Sequence, residues 1–217
     1  TLGGGNHFIE VDQAKDGTHY LVIHSGSRNL GKQVAEIYQQ LAIDLHAGKE
    51  EYFKERDEII RTYKEQGRRA EIQETLKKLK QDYETQDLDA PDDICWLYGS
   101  FMDDYLHDVE ICQRFARRSR ERMAEIIIGR TKLTAAESFH TVHNYIDVDE
   151  MILRKGAIAA HVGEKVLIPI NMRDGSVLAV GKGNAEWNNS APHGAGRIMS
   201  RTKAKQSIDL EEYKASM

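Results

Sequence analysis

The sequence has no long apolar run and very little cysteine. No stretch of about 18 apolar residues occurs in its 217 residues, so no membrane span is expected. No secretory signal is visible either. The two cysteines, Cys95 and Cys112, are too few for a disulfide framework and suit a reducing compartment, which predicts a cytoplasmic protein. The net charge of −5 gives no general attraction to nucleic acid, so contact with RNA or DNA would need a local basic patch.

The pattern of apolar residues predicts an α+β protein with strands at both ends and helices inserted between them. Residues 19–23 have the composition of a short buried strand, and residues 165–170 and 176–180 that of two strands joined by a turn. Residues 94–128 carry apolar side chains at helical steps, which predicts a helix facing the core with Cys112, Phe115 and Ala116 on its apolar side. We expect residues 1–217 to form a single, incomplete domain.

Residues 49–86 are rich in Lys, Glu, Arg and Gln and contain no proline. Ile72, Leu76, Leu79 and Tyr83 recur at steps of four, three and four, so they fall on one narrow stripe of a helix. Gly67 is suited to a turn between two helices. This pattern predicts a charged helical hairpin inserted in the domain, which projects away from the functional site as a solvated surface element.

The chemistry of the sequence lies near its two ends, where four of the nine histidines have glycine, serine or asparagine beside them. These are His7, His24, His143 and His193. Neutral imidazole is the commonest protein ligand of transition metals, and nearby glycines let the backbone approach an ion or a phosphate closely. Structural zinc sites take their ligands in tight pairs, so spaced histidines favour an open site for an ion such as Mn²⁺ or Zn²⁺.

Seven ordered blocks of the sequence resemble one known family. They are "LGGGNHFIE", "HSGSRNLG", "VHNYID", "RKGAIAA", "IPINM", "GKGN" and "SAPHGAGRIMSRTKAK", and together they span nearly the whole chain outside the charged hairpin. The chain is similar in these blocks to the RtcB family of RNA-splicing ligases. The resemblance implies an RtcB-like fold and the GTP-dependent joining of a 2′,3′-cyclic phosphate or 3′-phosphate RNA end to a 5′-hydroxyl end. It also implies Mn²⁺, with two ions in a complete site, and an activating protein of the archease type as a partner.

The resemblance assigns roles to individual residues of this sequence. His193 matches the family's guanylylated histidine, and His7, His24 and His143 match its metal ligands. The residues that match its GTP contacts are Asn6, His7, Phe8, Ile9, Glu10, His143, Asn144, Pro169, Ile170, Asn171, Met172, Ser176, His193, Gly194, Ala195 and Gly196.

The sequence also departs from the family pattern. Ile170 and Asn171 replace small residues that some members carry, and we expect backbone contacts there to tolerate the change. The family's metal-bridging cysteine and an aspartate precede its "LGGGNH" block, and a lysine that contacts guanosine follows further on; none of the three is present here. Because Thr1 already stands inside a motif, we expect the sequence to be the central and distal part of a longer ligase.

The stretch "HGAGR" fits the chemistry that the resemblance implies. An imidazole nitrogen of His193 can attack the α-phosphate of GTP and form a histidine–GMP phosphoramidate. Gly194, Ala195 and Gly196 would allow backbone N–H groups to reach phosphate oxygens, and Arg197 could offset their charge. The basic residues expected to meet RNA phosphates are Arg28, Arg197, Arg201, Lys203 and Lys205, whereas "RFARRSRER" has acidic neighbours and is interpreted as solvated surface.

Two other classes of function fit parts of the sequence. A metal-dependent phosphoesterase acting on nucleotides or RNA would also place several histidines around an open metal, but it would not accumulate a covalent nucleotide adduct. A non-catalytic RNA-binding module or scaffold would use the charged hairpin as its working surface. Deleting residues 49–86 distinguishes the two: a scaffold of this kind would lose the binding of its partner, whereas a ligase core would still bind its nucleotide.

Overall fold

The structure is a computed structural model, and it describes residues 2, 7–83, 91–171, 173–196 and 199–215. Helices and strands alternate in blocks, which confirms the expected mixture of α and β structure. The strands are β1 (Phe8–Gln13), β2 (His19–His24), β3 (His143–Asp147), β4 (Ile152–Ala159), β5 (Lys165–Asn171), β6 (Gly175–Val180) and β7 (Ser190–Pro192). The helices are α1 (Arg28–His46), α2 (Glu50–Glu65), α3 (Ile72–Asp82), α4 (Gly99–Thr131), α5 (Arg201–Ser207) and α6 (Leu210–Ala215), with short 3₁₀ turns at Arg69–Glu71, Asp92–Ile94 and Ala185–Trp187.

The chain divides into two compact units. The first holds residues 1–28 and 110–217, and the second holds residues 29–109. The prediction of a single domain with an inserted hairpin at 49–86, directed away from the site, stays a prediction. No helix in the described part of the chain has both the length and the apolar character needed to cross a membrane.

The strands of the first unit form three small antiparallel sheets. Their strand orders are β1–β2, β3–β4–β7 and β5–β6. The buried residues Ile158, Ala160 and Val166 form a core cluster that joins the last two sheets. Strands β1, β3 and β4 were not identified from the sequence, because polar side chains interrupt each of them and hide the alternation that marks a strand.

The second unit contains the charged helices. Helices α2 and α3 pack against each other, with the side chains of Ile72, Leu76, Leu79 and Tyr83 partly buried and the charged residues between them exposed. The ring of Tyr83 lies 5.5 Å from that of Tyr52 on α2. The two helices therefore pair along a single narrow apolar stripe, and the rest of the surface of each helix is polar.

Helix α4 corrects one sequence-based expectation. Its residues Cys112 and Ala116 are buried as predicted, but the Phe115 side chain is 47% exposed. Cys112 and Ala116 are one helical turn apart on the same face, and Phe115 lies about 60° round the helix from Cys112 at about 100° per residue. The apolar spacing therefore placed Phe115 on the wrong side of the boundary between core and solvent.

Candidate functional site

The β1–β2 hairpin brings the first two motif histidines together. In its register Phe8 lies opposite His24, and His7 immediately precedes the first strand. The Phe8 ring stacks on the His24 ring with centroids 5.0 Å apart, and the ring centroids of His7 and His24 are 6.2 Å apart. Strand pairing thus closes the distance between histidines that are 17 positions apart in the sequence.

The third histidine begins β3, next to an irregularity in the pairing of β3 with β4. The pairing of β3 with β4 shifts between His143 and Tyr145, and the intervening Asn144 has a positive φ of 52°. The Asn144 side chain compensates by accepting a hydrogen bond from the Gly156 N–H at 2.7 Å. Residues 155–157 of β4 stand opposite the single residue 144 of β3, so the extra residues of the bulge lie on β4, across from the start of β3. His143 Nε2 lies 3.3 Å from His24 Nε2.

The fourth histidine follows the short strand β7. The His193 N–H donates to the Gly156 carbonyl at 3.4 Å, continuing the pairing of β7 with β4. Gly156 has a φ of +68°, and a Cβ placed on it would lie 3.8 Å from the His193 ring. The His193 and His143 rings have centroids 4.8 Å apart. The four motif histidines therefore form a continuous row in the order His7, His24, His143 and His193.

Burial keeps the middle of this row neutral. It lowers the pKa of His24 to about 4, and the charges of His143 and His7 act in the same direction. Burial also lowers the pKa of His143, with a further contribution from His193. Both imidazoles therefore carry a lone pair at neutral pH, which is the form that binds a metal ion.

The row fits a metal site in part. Two imidazole nitrogens bound to one tetrahedral ion at about 2.0–2.1 Å would lie roughly 3.4 Å apart, close to the 3.3 Å between His24 Nε2 and His143 Nε2. The His7 ring instead faces Arg28, whose Nη1 lies 2.6 Å from its Nε2 and 3.0 Å from its Nδ1. Within the described part of the chain, no group of three or more His, Cys, Asp or Glu side chains is arranged to hold a metal ion. The assignment of His7, His24 and His143 as metal ligands stays a prediction.

The glycine-rich segment after His193 packs against the end of β5. The Ala195 N–H donates to the Pro169 carbonyl at 3.1 Å, and a Cβ placed on Gly194 would come within 3.1 Å of that same oxygen. Pro169 is in turn paired with Ser176, whose hydroxyl is buried and has no hydrogen-bond partner among the described residues. The structure thus places Pro169, Ser176, Gly194 and Ala195 close to one another.

The other residues predicted to contact the nucleotide differ in how far their side chains are exposed to solvent. On β1 the side chains of Phe8 and Glu10 are partly buried, while Ile9 points away and is 41% exposed, as the alternation of a strand requires. Burial, with the nearby charge of Asp12, raises the pKa of Glu10. The side chain of Asn171 is exposed and bonds to Asp174 within the β5–β6 turn.

Several predicted residues lie outside the described part of the chain. They are Asn6, Met172, Arg197 and the side chain of Arg201. Lys203 and Lys205 are exposed on α5. Their predicted contact with RNA stays a prediction.

Sequence reasoning missed one residue beside the histidine row. "RFARRSRER" was interpreted as solvated surface, and Arg114, Arg117, Arg118 and Arg122 are indeed exposed and paired with glutamates. Arg120 is partly buried, and its Nη1 donates to the Ser25 carbonyl at 2.9 Å. The only sequence signal was its helical spacing of four from the buried Ala116.

Comparison with known proteins gives one consistent match. The family model described as "tRNA-splicing ligase RtcB" matches residues 1–217. The chain is 30% identical over 230 residues to an RNA-splicing ligase RtcB of Escherichia coli strain K12, covering 98% of the chain and 48% of that protein. It is 27% identical over 240 residues to a tRNA-splicing ligase RtcB of Aeropyrum pernix, covering 95% of the chain and 46% of that protein. The chain spans about half the length of these relatives. No solved structure matches the chain.

Proposed function

The chain belongs to the RtcB family, and from this premise we propose that it carries the nucleotide-transfer site of a GTP-dependent RNA ligase. The ligase would join RNA ends bearing a 2′,3′-cyclic phosphate or 3′-phosphate to ends bearing a 5′-hydroxyl. The observation that carries this proposal is the row of four imidazoles that ends at His193. The low cysteine content supports a cytoplasmic location for this reaction.

His193 is the nucleophile in this proposal. One of its ring nitrogens would form a bond to the α-phosphorus of GTP while the bond from that phosphorus to the β-phosphate oxygen breaks, which releases pyrophosphate. The GMP would then pass to the 3′-phosphate of RNA, and the 5′-hydroxyl would displace it. Covalent catalysis of this type divides one difficult transfer into easier steps.

The backbone around His193 supports this role. Gly156 lies directly against the imidazole, since a Cβ placed on it would be 3.8 Å from the ring, an ordinary contact distance. Of the three N–H groups after His193, that of Ala195 is already bonded to Pro169, so those of Gly194 and Gly196 are the ones proposed to meet phosphate oxygens. The sequence-based expectation of three such donors is therefore reduced to two.

The histidine row would hold the manganese that the family implies, with two ions in the complete site. His24 and His143 have the spacing and the neutral state for it, and His7 is the proposed third ligand. When bound, Mn²⁺ would supply Lewis-acid neutralisation of the phosphate charges. Arg28, beside His7, and the exposed Lys203 and Lys205 are proposed to meet RNA phosphates, and an activating protein of the archease type is a proposed partner.

A covalent adduct tests this function directly. The full-length protein, incubated with GTP labelled at the α-phosphate and with Mn²⁺, should retain label after denaturation. The label should be lost in mild acid and survive alkali, as expected for a phosphorus–nitrogen bond. His193→Ala should abolish it, and His7→Ala should weaken it while leaving the nucleophile in place.

One control variant and one contrary outcome make the result decisive. His161→Ala removes another histidine of the same unit that lies outside the row, and it should leave the adduct at the wild-type level. Label that persists in His193→Ala, or hydrolysis of RNA phosphates without any adduct, would favour the phosphoesterase alternative.

A further inference from the structure

Within the described residues, backbone hydrogen bonds do not set the spacing between His24 and His143. His24 ends β2, which pairs with β1, whereas His143 begins β3 in the separate β3–β4–β7 sheet. The strand pairing fixes each histidine within its own sheet. The 3.3 Å between His24 Nε2 and His143 Nε2 must therefore depend on whatever holds the two sheets against each other.

Helix α4 makes a polar contact with each of these strand systems. Gln113 Nε2 donates to the Ile146 carbonyl at 3.1 Å, three residues after His143. Arg120 Nη1 donates to the Ser25 carbonyl at 2.9 Å, one residue after His24. Residues seven apart are two helical turns apart, so Gln113 and Arg120 extend from the same face of α4.

The face between these two residues is buried on one side, at Ala116, and exposed on the other, at Arg117. Ala116 lies between Gln113 and Arg120 on the helix and is 8% exposed, and Ser25 at the far end of the contact is 7% exposed. Because a helix is rigid over two turns, two bonds from one face of it hold their acceptors at a defined separation. This geometry joins the β2 terminus to β3 through a single rigid element.

Arg120 differs in its charge environment from the other arginines of this stretch. Arg114, Arg117, Arg118 and Arg122 each pair with a glutamate at an exposed position. Arg120 has no carboxylate within ion-pair distance among the described residues, and burial lowers its pKa. The hydrogen bond from Arg120 to the Ser25 carbonyl therefore stands where the neighbouring arginines have ion pairs, and it links the helix to the end of β2.

We propose that Gln113 and Arg120 are positioning residues, and that α4 acts as a clamp that sets the distance between His24 and His143. Through His143 the clamp also places His193, whose ring is its neighbour. The effect of the clamp on formation of the His193–GMP adduct rests on the proposed function. Its effect on the positions of the imidazoles does not. The clamp is distinct from the imidazoles themselves, since neither Gln113 nor Arg120 belongs to the row.

The test compares Gln113→Leu and Arg120→Met with Arg114→Met in the full-length protein. Arg114 is the matched control, because it lies on the same helix but is exposed and paired with Glu110. The first measurement is the nuclear magnetic resonance spectrum of ¹⁵N-labelled imidazoles at fixed neutral pH without metal. The second is the rate of His193–GMP formation at limiting Mn²⁺.

We expect the His24 and His143 ring signals to shift in both clamp variants and to stay in place in the control. The adduct rate should fall about 10- to 100-fold in the clamp variants, the range seen when residues that orient metal ligands are replaced. Arg120→Lys keeps a charged donor and should recover part of the rate. Circular dichroism will identify variants that do not fold, and if Arg120→Met is one of them, Gln113→Leu decides the test alone because it removes a single neutral donor.

Two results separate the clamp from the proposed function. Folded clamp variants with wild-type imidazole spectra and a wild-type adduct rate would overturn the clamp. Shifted imidazole signals in a protein whose wild type forms no adduct would support the clamp and contradict the proposed function.

Discussion

Replacing Arg154 with methionine should destabilise the unit that contains the histidine row. The Arg154 side chain is 1% exposed and forms ion pairs with Asp147 at 2.8 Å and Glu150 at 2.9 Å. It also donates to the Tyr145 hydroxyl, to the Ser190 hydroxyl and to the Asn188 carbonyl. These partners belong to β3, to β7 and to the turns beside them, so one guanidinium joins the strands that lead to His143 and His193.

The expected loss follows from what methionine would leave behind. Removing one partner of a buried ion pair costs about 3–5 kcal/mol, because the other charge stays buried without compensation. The Asp147 side chain is 18% exposed and would be that charge, whereas the Glu150 side chain is 35% exposed and also bonds to His161 at 2.7 Å. With a urea dependence of about 2 kcal/mol per molar, a loss of about 4 kcal/mol lowers the unfolding midpoint by about 2 M.

Equilibrium unfolding in urea measures this loss. The chain has two tryptophans, and a Trp96→Phe background leaves Trp187, which lies in the same unit as Arg154, as the fluorescent reporter. The control is Arg173→Met, since Arg173 is exposed and pairs with Asp174 at the surface, where such ion pairs add little stability. A loss in Arg154→Met no larger than in this control would refute the reasoning.

A second replacement identifies the source of the loss. If the uncompensated carboxylate dominates, Asp147→Asn in the Arg154→Met background should recover part of the stability, because the buried charge is gone. No recovery would mean that the lost hydrogen bonds to Tyr145, Ser190 and Asn188 carry the effect.

Three further predictions concern the same unit. Gly156→Ala should lower the free energy of unfolding by about 1–2 kcal/mol, because an L-residue is disfavoured at the φ of +68° that Gly156 adopts. The new methyl group would only touch the His193 ring. A urea unfolding curve with wild-type stability would contradict this prediction. Hydrogen bonds to Glu164, and then to Glu150, raise the pKa of His161, so its contribution to stability is full below its unfolded pKa of about 6.5 and is lost as pH rises through the higher folded value. The stability of His161→Gln should therefore fall less than that of the wild type between about pH 6 and pH 9, and parallel curves would argue against the ion pairs. Ile158→Ala should cost about 2–5 kcal/mol in the same unfolding assay, since Ile158 is 1% exposed in the core cluster, and a loss below about 1 kcal/mol would mean that the cluster is loosely packed.

The spacing of apolar residues in the sequence correctly predicted those strands and helices whose pattern is contained in a few neighbouring residues. The stripe from Ile72 to Tyr83 is partly buried as its spacing predicted, and β2, β5 and β6 lie where short apolar runs placed them. The family membership predicted from the sequence motifs is confirmed over residues 1–217. The specific fold of the family stays a prediction, as no solved structure matches.

The limits of local pattern are visible at Phe115 and Arg120. Both sit on one helix whose apolar face was predicted, yet Phe115 is 47% exposed and Arg120 is partly buried. Spacing tells which residues share a face, but the edge of that face depends on what packs against it. Whether a long polar side chain finds an acceptor depends on a residue far away in the sequence, here Ser25.

The sequence by itself distinguished His7, His24, His143 and His193 from the other histidines, because the small and polar residues beside them mark them without reference to any other part of the chain. Only the tertiary structure decided how they are arranged. Their order in a row, the neutral state of His24 and the place of Arg120 all come from strand pairing, a bulge and burial. These are relations between segments up to 119 positions apart, as for His24 and His143, and they arise from packing that no local stretch of residues encodes.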